Sequence, residues 1–160
     1  MESRSAFQKR AAERREPEHR ASGPNAVHSP MKPKARILAV DDSPDTLTIL
    51  RLFLSAEGFE VITAGGVTEA LLRVQEQLPD LIITDHTMPG KTGLDLCRQL
   101  RSHPKTHHIP IVLHTGADLP PTETDEPYDA LYAKPASLAQ LVRRVRSLLA
   151  ASNGVLPLQH

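Results

Sequence analysis

Four polar stretches each follow directly on a short apolar run. Asp41-Asp42 follow ILAV, Asp85 follows LIIT, Thr115 follows IVLH, and Lys134 follows LYA. Together they make a chemically matched set of three carboxylates, a hydroxyl and an ammonium. Two carboxylates about 4 Å apart repel by about 4 kcal/mol at an effective dielectric near 20, so three held together need a compensating cation. Lys134 supplies one positive charge. A divalent ion supplies more, and Mg²⁺ takes one or two carboxylates together with waters and phosphate oxygens. In such a cluster Asp85 can serve as a carboxylate nucleophile toward phosphorus and form an acyl phosphate. The cation and Lys134 would neutralise the phosphoryl oxygens, and Thr115 would donate a hydrogen bond. Each residue alone has a plainer reading. Asp42 or Ser43 can be only a helix N-cap, Thr115-Gly116 only a turn, and Lys134 only a solvated side chain. The joint placement at successive strand ends favours the site.

The elements that must position these groups alternate in type. Ala35–Val40 reads as a buried strand. Ser43-Pro44 opens a helix with a capping residue and a proline at its first position, and Gly58 supplies a left-handed end. Phe59–Ala64 is a second strand. Apolar groups at 70, 71, 74 and 78 mark a helix stopped by Pro79. Leu81–Thr84 is a third strand, and Leu94, Leu96, Cys97 and Leu100 a third helix. Ile109–Leu113 reads as a fourth strand ending before His114-Thr115-Gly116. Leu131–Ala133 is a short fifth. Ser137 caps a last helix that ends at Asn153-Gly154. This alternation predicts an α/β fold: a parallel sheet with helices on both faces. Chemistry in such sheets sits beyond the carboxyl ends of the strands, where the matched set falls.

The chain has 160 residues, 19 basic and 19 acidic groups, and net charge +0. That balance excludes a whole-chain field toward nucleic acid or membrane. A lone cysteine, Cys97, excludes an internal disulfide and fits a reducing compartment. No apolar run is long enough to span a bilayer, and the first twenty residues lack the apolar core of a secretory signal. The zero is an average. Residues 1–34 carry eight basic and four acidic groups, +4, and residues 35–160 carry eleven and fifteen, −4. With no leucine or isoleucine before Ile37, residues 1–34 read as a disordered basic arm. Met31 offers an alternative start. Residues 35–152 form the folded domain and 153–160 a tail.

The stretches ILAVDDSP, LIITDHTMPGKTGLDL, IVLHTGA and YAKP, in this order and spacing, resemble the receiver (response-regulator) domain of two-component signalling, over about Lys34 to Ala151. The resemblance implies a flavodoxin-like, doubly wound, five-stranded parallel sheet of order 2-1-3-4-5, an arrangement of which receivers are a standard example. It implies that Asp85 accepts a phosphoryl group from a phosphohistidine on a kinase or phosphotransfer protein. It assigns Mg²⁺ (or Mn²⁺) to Asp41, Asp42, Asp85 and the Thr87 backbone carbonyl, and the phosphoryl oxygens to Thr115 and Lys134. Pro89 and Gly90 would shape the loop after Asp85, and the Lys134-Pro135 bond would be cis. The expectation is a cytoplasmic, stand-alone receiver without a DNA-binding domain or membrane contact. It would be a monomer or weak dimer acting on an unknown protein target, with no catalysis beyond slow phosphorylation and dephosphorylation of itself.

Two features depart from the family. Leu131 stands where an aromatic switch residue is usual, three before the lysine, and alternation turns Tyr132 to the opposite face. Pro120, Pro121 and Pro127 oppose a regular helix between the fourth and fifth strands, so that helix is expected to be irregular or shortened. These departures motivate an alternative, a receiver-fold scaffold whose output ignores phosphorylation. A haloacid-dehalogenase-like phosphatase needs an acid two residues after its nucleophile. Ser43 and Thr87 stand there instead. His103, His107 and His108 share one loop without a metal-ligand pattern. His86 and His114 flank the acidic ends, where packing or exposure is the plain reading. Cys97 reads as core, and Arg143, Arg144 and Arg146 as a solvated helix face.

Overall fold

The computed structural model describes residues 33–116, 126–134 and 137–154. Five strands and four helices alternate until the end of the fourth strand: β1 (Arg36–Val40), α1 (Pro44–Ala56), β2 (Glu60–Ala64), α2 (Val67–Glu76), β3 (Leu81–Thr84), α3 (Gly93–Arg101), β4 (Ile111–Thr115), β5 (Ala130–Ala133) and α4 (Leu138–Ser152). All strand pairs are parallel and the order is β2-β1-β3-β4-β5. The chain reverses direction across the sheet between β1 and β3, which opens a crevice at their carboxyl ends.

Residue alternation sorts the sheet into two faces. Ile37, Ala39, Leu81, Ile83 and Val112 pack under α1 and α4 with Leu50, Leu54, Leu141 and Val145. Leu38, Val40, Ile82 and Ile111 pack under α2 and α3 with Ala70, Val74, Leu96 and Leu100. The central strands are apolar on both faces because both are covered.

The caps explain where the helices start. The Ser43 side chain accepts from Thr46 N–H ahead of Pro44, and that of Ser137 accepts from Gln140 N–H. Thr92 and Asp95 form a reciprocal capping box on α3. Gly58 and Gly154 take positive φ just past α1 and α4, where a side chain would be strained.

Strand bounds shift by one residue at the start of β1, β2 and β5 and by two at both ends of β4. β4 runs to Thr115 rather than stopping at Leu113. His114 and Thr115 stay in register with Tyr132 and Ala133, and Thr115 C=O accepts from Lys134 N–H at 2.9 Å. At the other end Pro110 has no N–H for the ladder, though its carbonyl accepts from Ile82. Two polar residues at a strand end look like a loop in sequence. Here they are strand because β5 supplies the pairing.

Among the described residues no helix lies between β4 and β5, and residues 126–129 are non-helical. The expected shortened helix falls largely on residues 117–125, outside the described residues. So do the arm up to residue 32, the tail from residue 155, and Pro135, hence the expected cis bond. No helix among the described residues is long and apolar enough to cross a membrane.

Candidate functional site

The register carries the polar set to one edge. Asp41 follows β1 and its N–H donates to Ala64 C=O of β2 at 3.1 Å. Asp85 follows β3 and its N–H donates to Val40 C=O of β1 at 2.8 Å. Both carboxylates are therefore fixed by ladder bonds that continue one step beyond the strands. Asp41 and Asp85 are two residues beyond Ala39 and Ile83, and Lys134 two beyond Tyr132, so all three side chains stand on the α1/α4 face.

Asp41 and Asp85 are buried and Asp42 is exposed. One oxygen from each lies within 4.8 Å of the others. Lys134 Nζ donates to Asp41 Oδ2 at 3.0 Å and lies 3.6 Å from Asp85 Oδ1. Ser43 N–H donates to Asp41 Oδ1 at 2.9 Å, which orients that carboxylate. Burial pushes the Asp85 carboxyl above its ordinary range. Lys134 and the His86 N–H oppose the rise, and Asp41 and Asp42 add to it. The site thus stores charge repulsion that one ammonium relieves only in part.

The donor set fits a hard divalent cation. Two oxygens on opposite sides of Mg²⁺, each at about 2.1 Å, are about 4.2 Å apart. The observed limit of 4.8 Å is therefore within about 0.6 Å of that span. The three aspartates are the only group of three potential metal-ligating side chains among the described residues. His103, His107 and His108 do not form such a group.

Thr115 is buried at the end of β4. Thr87 and Pro89 are exposed in the loop after Asp85, and Gly90 has φ +85°. Leu131 is half exposed, and Tyr132 packs on the opposite, α4 side with its hydroxyl 3.1 Å from Ser137 O and Gln140 Oε1. The expected separation of Leu131 and Tyr132 by face is thus present. Cys97 is fully buried and burial pushes its thiol up to about 12.

Two positions are not evident from the sequence. A β-carbon at Gly93 would collide with the Asp85 backbone carbonyl, and Gly93 N–H donates to His86 C=O at 2.9 Å. The missing side chain lets α3 start against the acceptor loop. The signal is a glycine immediately after a capping threonine. Met88 is buried under the α2/α3 face and pins the otherwise exposed loop. Its signal is one large apolar residue in a polar turn.

Comparison with known proteins agrees with this geometry. Residues 37–146 match the response regulator receiver domain. The chain is 40% identical over 121 residues to the phosphate regulon transcriptional regulatory protein PhoB of Rhizobium meliloti, covering 71% of this chain and 52% of that protein. It therefore spans about half of that relative's length. Chemotaxis response regulator CheY4 of Vibrio cholerae superposes with a TM-score of 0.65 at 28% identity, over 72% of this chain and 99% of that one. Response regulator protein TrrA of Thermotoga maritima, solved in complex with Mg²⁺ and BeF, superposes at 0.63 with 32% identity, over 71% of this chain and 98% of that one. This chain belongs to the response regulator receiver domain family of two-component systems.

Proposed function

We propose that the chain is a phosphoryl-accepting switch in which Asp85 is the acceptor. The observation that carries this reading is the convergence of Asp41, Asp42 and Asp85 with the Lys134 ammonium on one sheet edge. An Asp85 oxygen attacks the phosphorus of a phosphohistidine on a histidine kinase or phosphotransfer protein. The P–N bond breaks, its electron pair stays on the imidazole nitrogen, and that nitrogen takes a proton. Lys134 would hold its charge where negative charge gathers on the transferring oxygens, and Thr115 would donate to one of them.

Asp41, Asp42, Asp85 and the Thr87 carbonyl would hold Mg²⁺ or Mn²⁺. Such an ion supplies charge neutralisation for the phosphoryl group. TrrA, of like fold and 32% identity, binds Mg²⁺ with BeF, which supports the assignment. The acceptor is modified and later hydrolysed, so turnover is confined to the protein's own phosphoryl group. A cytoplasmic location goes with this role, because a histidine kinase domain has access there. Output runs through a surface that phosphorylation reshapes. That output is contact with another protein.

A scaffold indifferent to phosphorylation is less well supported, because every charged member of the set is present and in reach. Incubation with acetyl phosphate and Mg²⁺, followed by intact mass, tests the proposal. Addition of one phosphoryl group to the native chain and none to Asp85→Asn is expected. No gain in the native chain, or an equal gain in the variant, overturns it.

A further inference from the structure

β4 lies between β5, which carries Lys134, and the strands that carry the acidic cluster. Neighbouring strands are about 4.8 Å apart, so the lysine stem must cross the end of β4 to bring Nζ within 3.0 Å of Asp41. On the α1/α4 face β4 presents Val112 and then His114, two residues on. The next position on that face is Gly116, which has no side chain. A β-carbon there would sit 3.6 Å from Lys134 Cβ. His114 is thus the last side chain of β4 along the path of the lysine.

The His114 ring is buried and pairs in register with Tyr132, the two rings tilted with centroids 6.1 Å apart. One register step beyond Thr84↔Leu113 brings His114 beside Asp85. Burial holds the imidazole below its usual range, Lys134 adds to that and Asp41 opposes it, so both charges are felt at the ring.

We propose that His114 is a positioning residue for Lys134, its buried ring forming the floor over which the lysine reaches Asp41 and Asp85. The proposal rests on the reading of Asp85 as phosphoryl acceptor. His114 itself is given no contact with a phosphoryl oxygen. It acts by keeping Nζ over the carboxylates.

A double-mutant cycle on the full chain tests it. His114→Ala, His114→Phe, Lys134→Ala and the His114→Ala/Lys134→Ala pair are compared in initial rate of phosphoryl uptake from acetyl phosphate. His114→Ala is expected to lose about tenfold with Lys134 present, as misplacing a catalytic charge does, and less than about twofold in Lys134→Ala, where nothing is left to position. His114→Phe, which keeps a flat ring, is expected to recover most of the rate. Equal loss in both backgrounds, or no loss at all, overturns the proposal. A metal-free thermal-melt cycle on the same variants separates it from the function reading. Non-additive shifts in Tm support the His114–Lys134 contact even if the native chain takes up no phosphoryl group, and additive shifts refute it. If His114→Ala does not fold, His114→Gln takes its place in both cycles, with the same expected and refuting results.

Discussion

Removing the acceptor carboxylate should make the metal-free protein more stable. Asp85→Asn is nearly isosteric and keeps an oxygen for the His86 N–H. In the native chain an ionised Asp85 faces Asp41 and Asp42 within 4.8 Å, each worth about 3.5 kcal/mol of repulsion at an effective dielectric near 20. Lys134 at 3.6 Å returns about 4.5 kcal/mol on the same scale. The balance is unfavourable by about 2 kcal/mol. Exposure of Asp42 and partial exposure of Lys134 screen both sides of it, leaving about 1–2 kcal/mol. Burial acts in the same direction as the residual repulsion. The sign follows from linkage. A carboxyl whose folded value is raised binds more protons folded than unfolded, so stability falls as pH rises from 3.8 through the folded value. The penalty is fully present above the folded value, and Asp85→Asn removes it. For a domain of this size the gain corresponds to roughly 4–8 °C in Tm. Thermal melts followed by circular dichroism in EDTA at pH 7 measure it. The gap should close as pH falls below 3.8, and added Mg²⁺ should raise the native Tm more than that of the variant. An Asp85→Asn melt at or below the native value in EDTA would refute the electrostatic reasoning.

Other expectations follow from single contacts. Gly93→Ala forces the start of α3 off the Asp85 carbonyl and should cost about 1–3 kcal/mol by urea denaturation, with slower phosphoryl uptake. Asp129 accepts from Ile111 N–H at 2.7 Å and pairs with Arg101 at 2.5 Å. Asp129→Ala should therefore cost about 1–3 kcal/mol by urea denaturation, because it strands the Ile111 N–H. Cys97, with its thiol pushed up to about 12, should resist a thiol reagent at pH 7 and react at once in denaturant. Rapid labelling of the native chain would contradict the burial.

Much of the architecture is legible in the sequence because local signals agree with one another. Four apolar runs each end in a polar residue, and Ser43-Pro44, Gly58 and Ser137 mark helix ends where the structure has them. Asp41, Asp85 and Lys134 are legible for the same reason, since each sits one step past a strand. What stays hidden depends on partners distant in sequence. His114 and Thr115 are strand only because Tyr132 and Ala133 pair with them. Gly93 matters because the Asp85 carbonyl lies against it. Met88 anchors a loop through a core built from α2 and α3. The face of His114 follows from the strand boundary, so an early end to β4 also hides its proximity to Lys134.

The central claim is that the phosphoryl group resides on Asp85. Borohydride reduces an aspartyl phosphate to homoserine with release of phosphate, and so marks the acceptor permanently. The native chain treated with acetyl phosphate and Mg²⁺, reduced, and mapped by peptide mass spectrometry should show homoserine at position 85 alone, and none when EDTA replaces Mg²⁺. Homoserine at position 41 or 42 instead, or a phosphorylated chain with no homoserine at 85, would contradict the claim.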